Sequence, residues 1–133
     1  MAKYKNIHID IYKRDITVFI GSHSEFIEWI KNNEPSEKLE NLIQLIINSD
    51  DSAEASFWRN TFNGNGIIEL QSHPKSSSEI ATAAHECLHA VMHILSFVGV
   101  SYIEGDSNEP YTYLLEYLLE NILDYNNYKL INV

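Results

Sequence analysis

His85, Glu86 and His89 are the residues of this 133-residue chain whose types and spacing point most directly to chemistry. Histidines four positions apart on a helix stand on one face, one turn from each other, so both imidazoles can grip a single metal ion. Glu86 follows the first histidine and can reach a water bound to that ion. A catalytic zinc usually takes three protein ligands, keeps a fourth position for water, and lowers the pKa of that water from about 15.7 to about 7. On this reading His85 and His89 are ligands. Glu86 is the general base that takes a proton from the water and passes it to a leaving amine.

A third ligand must come from another element. His93 continues the row of histidines, but on a straight helix it sits about 12 Å along the axis from His85, so it reads as packing or support. Glu109 is the preferred candidate, at the start of a last helix that returns towards the first, and Glu116 is the alternative. Tyr113 would then donate a hydrogen bond to a tetrahedral oxyanion, and Glu116 would orient a ligand histidine. The competing reading makes Glu109, Glu116 and Glu120 the solvated face of an amphipathic helix.

The elements that position these residues follow from periodicity. Ser76 with Glu79 three residues on forms a capping-box pattern, which predicts a long helix starting near Ser77 and ending before Gly99. Ile80, Ala84, Cys87, Val91, Leu95 and Val98 fall on its apolar side, Thr82, His85, His89 and His93 roughly opposite, and Glu86 at the edge of the histidine face. A last helix over residues 110–124 turns Tyr111, Leu114, Leu118 and Ile122 inward, with Pro110 in its first turn.

Upstream, residues 6–20 predict a hairpin with Ile7, Ile9 and Ile11 on one face, followed by a helix capped by Ser22 or Ser24 and carrying Phe26, Ile27 and Ile30. Residues 36–48 predict a second helix, and residues 48–52 a polar loop. A second hairpin spans residues 55–71 around Asn63-Gly64-Asn65-Gly66, since Asn-Gly pairs are strong turn signals. The expectation is an α+β fold, one domain over residues 1–133, with a small four-stranded sheet, mixed or antiparallel.

Composition narrows the function classes. With 44% hydrophobic and 21% charged residues the chain is of globular type. A net charge of −10 argues against nucleic acid as partner, because phosphate binding is driven by Lys and Arg. The longest apolar stretch, residues 87–100, is interrupted by His89 and His93, so no membrane span is expected. Cys87 stands alone and can form no internal disulfide, and no secretory pattern opens the chain; a cytoplasmic location is the expectation. Cys87 reads as a buried small residue, and His8, His23 and His73 receive no role.

The arrangement resembles the zincin superfamily, more closely the gluzincin pattern of HExxH followed by a glutamate on the next helix. Within it the chain looks like small metallopeptidases encoded by phages and prophages, in which a strand and turn precede Ala-His-Glu-x-x-His-Ala and an acidic segment leads into Glu-x-x-x-Tyr-Leu. The matching stretches are residues 67–70, 84–90 and 109–114. The resemblance implies a zincin-like fold, zinc as cofactor, and a peptide or protein substrate. It also implies an edge strand, residues 67–71, that holds an extended peptide by strand addition. Tyr113 departs from the pattern, standing where an orienting aspartate is usual. Two alternatives stay open: a metal-binding zincin-like protein without protease activity, acting as a structural or interaction module, and an acidic helical interaction module in which the motif is accidental.

Overall fold

Alternating inward and outward side chains build the centre of the molecule. In the computed structural model, which describes residues 2–33, 46, 54–61, 63–105 and 108–131, strands β1 (Lys3–Ile9) and β2 (Arg14–Ile20) pair as an antiparallel hairpin with Ile7 opposite Ile16. Strands β3 (Ala55–Arg59), β4 (Gly66–Leu70) and β5 (Lys129–Leu130) complete one five-stranded sheet in the order β3-β4-β2-β1-β5. β2 and β4 run parallel while the other neighbouring pairs are antiparallel, so the sheet is mixed. Helices α1 (His23–Asn33), α2 (Ser77–Phe97) and α3 (Glu109–Leu123) make the protein α+β.

Each sheet face has its own core. Ile7, Ile9, Ile16, Val18, Ile68 and Leu70 turn towards α2 and α3, where they meet Cys87, Val91, Leu95, Leu114, Leu118 and Ile122. The opposite face packs Phe19 against Phe26 and Ile30 of α1, together with Ile46. Lys5 shares the first face and is buried, yet its ammonium donates to the carbonyls of Asn121 (2.7 Å) and Asp124 (3.2 Å) at the end of α3. A cation at a helix C-terminus meets carbonyls that lack intrahelical donors, so this contact fixes how α3 lies under β1.

Three expectations change. Among the described residues the sheet has five strands rather than four: β5 is two exposed residues long and offers no alternation to read. Ile11 is 79% exposed instead of facing the core, because β1 ends at Ile9 and the chain turns through Lys13 at φ 52°. β4 lies between β3 and β2 and is not an edge; among the described residues the outer strand on that side is β3. The helix expected over residues 36–48 and the loop over 48–52 lie outside the described residues, apart from Ile46. Ser22 supplies the cap of α1, its hydroxyl accepting from the Glu25 amide while the Glu25 carboxylate accepts from the Ser22 amide.

Candidate metal centre

Both ends of α2 are fixed by local chemistry. The Ser76 hydroxyl accepts from the Glu79 amide at 3.1 Å and the Glu79 carboxylate accepts from the Ser76 amide at 2.9 Å, the reciprocal pair that the sequence predicts. Ser72 donates to the other Glu79 oxygen at 2.8 Å, and these donors hold its pKa down at about 2. At the far end Gly99 adopts φ +84°, with Gly99 N–H on the Ser96 carbonyl and Val100 N–H on the Leu95 carbonyl, a Schellman termination.

The buried side of α2 comprises Ala83, Glu86, Cys87, Ala90, Val91, Ile94 and Leu95, which leaves His85 and His89 on the exposed side. Their rings stand 4.8 Å apart between centroids, at 78° to each other, and the two Nε2 atoms are 3.2 Å apart. Ligands at about 2.0–2.1 Å in a tetrahedron are separated by roughly 3.3–3.4 Å, so this pair has the spacing of two corners of a zinc site. Imidazole nitrogens are also the right donor type for that ion.

Glu86 is 8% exposed, beside this pair. Burial raises its pKa above the ordinary 4.5, opposed by the fields of His85 and His89. His93 packs its ring 5.7 Å from Phe57 of β3, and burial lowers its pKa. It supports the wall between α2 and the outer strand. Gly64 at φ +78° lets the β3–β4 turn lie directly on the Phe97 ring, where any Cβ would collide, so the turn clamps the end of α2. Cys87 is fully buried, as its position on the helix implies, and its pKa is pushed up to about 12.

The other expected wall of the site faces elsewhere. Glu109 and Tyr113 line a cavity with Ile9, Asp10, Ile11 and Tyr12 at the β1–β2 turn, and Glu116 is exposed. Among the described residues no group of three or more His, Cys, Asp or Glu side chains is placed to hold a metal ion, so His85 and His89 are brought together without Glu109 or Glu116. The rotation of α3 explains this. Leu114, Leu118 and Ile122 point into the core, and Tyr117 donates to the His8 carbonyl at 2.8 Å, which turns the 109–113–117 stripe towards β1.

Two histidines without an assigned role prove to be built in. His23 contacts the Glu69 carboxylate at 2.8 Å and the Ile46 carbonyl at 3.1 Å, and Trp58 donates to the second Glu69 oxygen. His73 is stacked on Tyr125 at 3.8 Å with its Nε2 on the Leu123 carbonyl. No sequence signal joins residues this far apart. Among the described residues no helix is long and apolar enough to cross a membrane. Comparisons with protein-family models, curated proteins and solved structures find no match to this chain.

Proposed function

We propose that this chain is a metal-dependent peptide hydrolase of zincin-like organisation, with His85 and His89 as ligands and Glu86 as general base. The observation that carries the reading is the 3.2 Å separation of two exposed Nε2 atoms beside a buried carboxylate. Zinc bound by the two imidazoles would supply Lewis acidity and a water that ionises near neutral pH. Burial makes Glu86 a stronger base than a solvated carboxylate, suited, from its place next to His85, to accept a proton and return it to a leaving amine. Two helices on one sheet face, one of them carrying the motif, support the zincin-like arrangement. An extended substrate would add to β3, the outer strand that Phe57 joins to His93 of α2, rather than to β4.

Among the described residues no third protein ligand is assembled beside the histidines, so the proposal rests on His85, Glu86 and His89. That same observation favours a second reading, a metal-binding protein that does not hydrolyse peptides. Metal analysis after purification without added metal, followed by cleavage of a peptide library, separates the two. One equivalent of zinc and cleavage abolished by Glu86→Gln with metal retained supports the hydrolase. Zinc without cleavage by the wild type selects the second reading, and no zinc with no response to chelation overturns both.

A further inference from the structure

The cavity at the β1–β2 turn is separate from the histidine pair and has its own chemistry. It is a solvent-open groove of about 550 Å³, a volume within the range of small-molecule sites. Its floor is apolar, from Ile9 and Leu114, and three phenol rings line it: Tyr12, Tyr113 and Tyr117. Glu109, Tyr113 and Tyr117 follow at intervals of four on α3, so a carboxylate and two aromatic rings form one continuous stripe along the wall. Tyr117 is fixed by its hydrogen bond to the His8 carbonyl, which makes its ring a prepared surface.

The charges decide what fits. Asp10 at the rim is paired with Lys13 at 2.6 Å. Glu109 has no ion-pair partner among the described residues. An anionic ligand would meet that carboxylate and a chain of net charge −10. A neutral apolar ligand would desolvate Glu109 with nothing in exchange. A cation on an apolar body would satisfy the carboxylate, lie against the electron-rich faces of the tyrosines, and cover the Ile9–Leu114 floor.

We infer that this cavity is a binding site for a substituted ammonium ligand with an apolar body, held by Glu109 and the rings of Tyr12, Tyr113 and Tyr117. The inference is independent of metal binding and of hydrolysis. The test is an NMR titration of the intact protein with hexyltrimethylammonium, 1-hexanol and hexanoate, three probes that share an apolar chain and differ in charge. The cation should give saturable shifts of the Tyr113 and Tyr117 ring resonances, with the neutral and anionic probes binding roughly tenfold more weakly or worse. Tyr113→Phe should preserve binding and Tyr113→Leu weaken it, while Glu109→Gln should weaken the cation and strengthen 1-hexanol, because the cost of desolvating the carboxylate is gone. All these side chains are at the surface of the cavity, and unchanged thermal melting will show that each variant folds. Equal binding of the three probes, shifts that map to another surface, or no saturable shift overturns the inference.

Discussion

The Nε2 atoms of His85 and His89 lie 3.2 Å apart across one turn of α2, on side chains that face solvent. The core does not need them there: the packing of α2 comes from Cys87, Val91, Ile94 and Leu95 on its other side. A shared cation would couple directly to stability. Zinc at a hundredfold excess over its dissociation constant should stabilise the fold by about 2.7 kcal/mol, a rise of roughly 10 °C in Tm for a domain of this size. His85→Ala or His89→Ala should remove most of the rise and His8→Ala should leave it intact, as read by thermal melts with zinc and with chelator. A full rise in the His85→Ala, His89→Ala double variant would place the metal elsewhere.

Glu86 carries a cost that function would explain. Its folded-state pKa is raised by burial, so the folded protein holds this proton more tightly than the unfolded chain does. The associated stability is complete below pH 4.5 and is lost as pH rises through the folded value. Above that window the native state contains a buried carboxylate. Without metal, Glu86→Gln should therefore melt at a higher temperature than wild type at neutral pH, and the gap should close as the medium is acidified. A Gln variant less stable than wild type at neutral pH would mean that the carboxylate is held by favourable contacts rather than strained by burial.

How much of this was legible depends on how local each signal is. The limits of α2 are set by Ser76, Glu79 and Gly99, which act within a few residues of themselves, and they are readable from sequence. The end of β1 is not, because Ile11 keeps the phase of Ile7 and Ile9 although the left-handed Lys13 has already turned the chain. The stripe Glu109–Tyr113 on α3 is also legible as a stripe. Which neighbour it meets depends on the roll of α3, fixed by Lys5 on the Asn121 and Asp124 carbonyls and Tyr117 on the His8 carbonyl. Those contacts join residues more than a hundred positions apart, beyond the reach of periodicity.

Cys87 should be chemically silent. It has no exposed surface, and its pKa near 12 leaves essentially no thiolate at neutral pH, whereas the thiolate is the reactive form. A disulfide reagent should find no reactive thiol in the native protein and one equivalent after denaturation. Cys87→Ser should cost about 1–3 kcal/mol in denaturant unfolding, since a hydroxyl in this apolar pocket lacks a ready partner. Rapid labelling of the native protein would show that α2 separates from the sheet more readily than its packing implies.

His73 supplies the clearest test of stability against pH. Its Nε2 reaches the Leu123 carbonyl, so that nitrogen carries the proton of the neutral ring, while Nδ1 is buried without a partner. Burial first, then the nearby positive charges of Lys3, Lys75 and Lys5, lower its pKa below the ordinary 6.5, against the contrary pull of the Leu123 carbonyl. The unfolded chain therefore takes up a proton before the folded one does. The contribution of neutral His73 is whole above pH 6.5 and declines as pH falls from there towards the folded value. His73→Phe keeps an aromatic ring against Tyr125 but removes the titration and the Leu123 bond. The advantage of wild type over this variant, measured by denaturant unfolding, should be largest above pH 6.5 and shrink progressively below it. His93 and Glu86 titrate in both proteins and cancel in the difference, so an advantage that is constant or grows on acidification would show that His73 is charged in the native state.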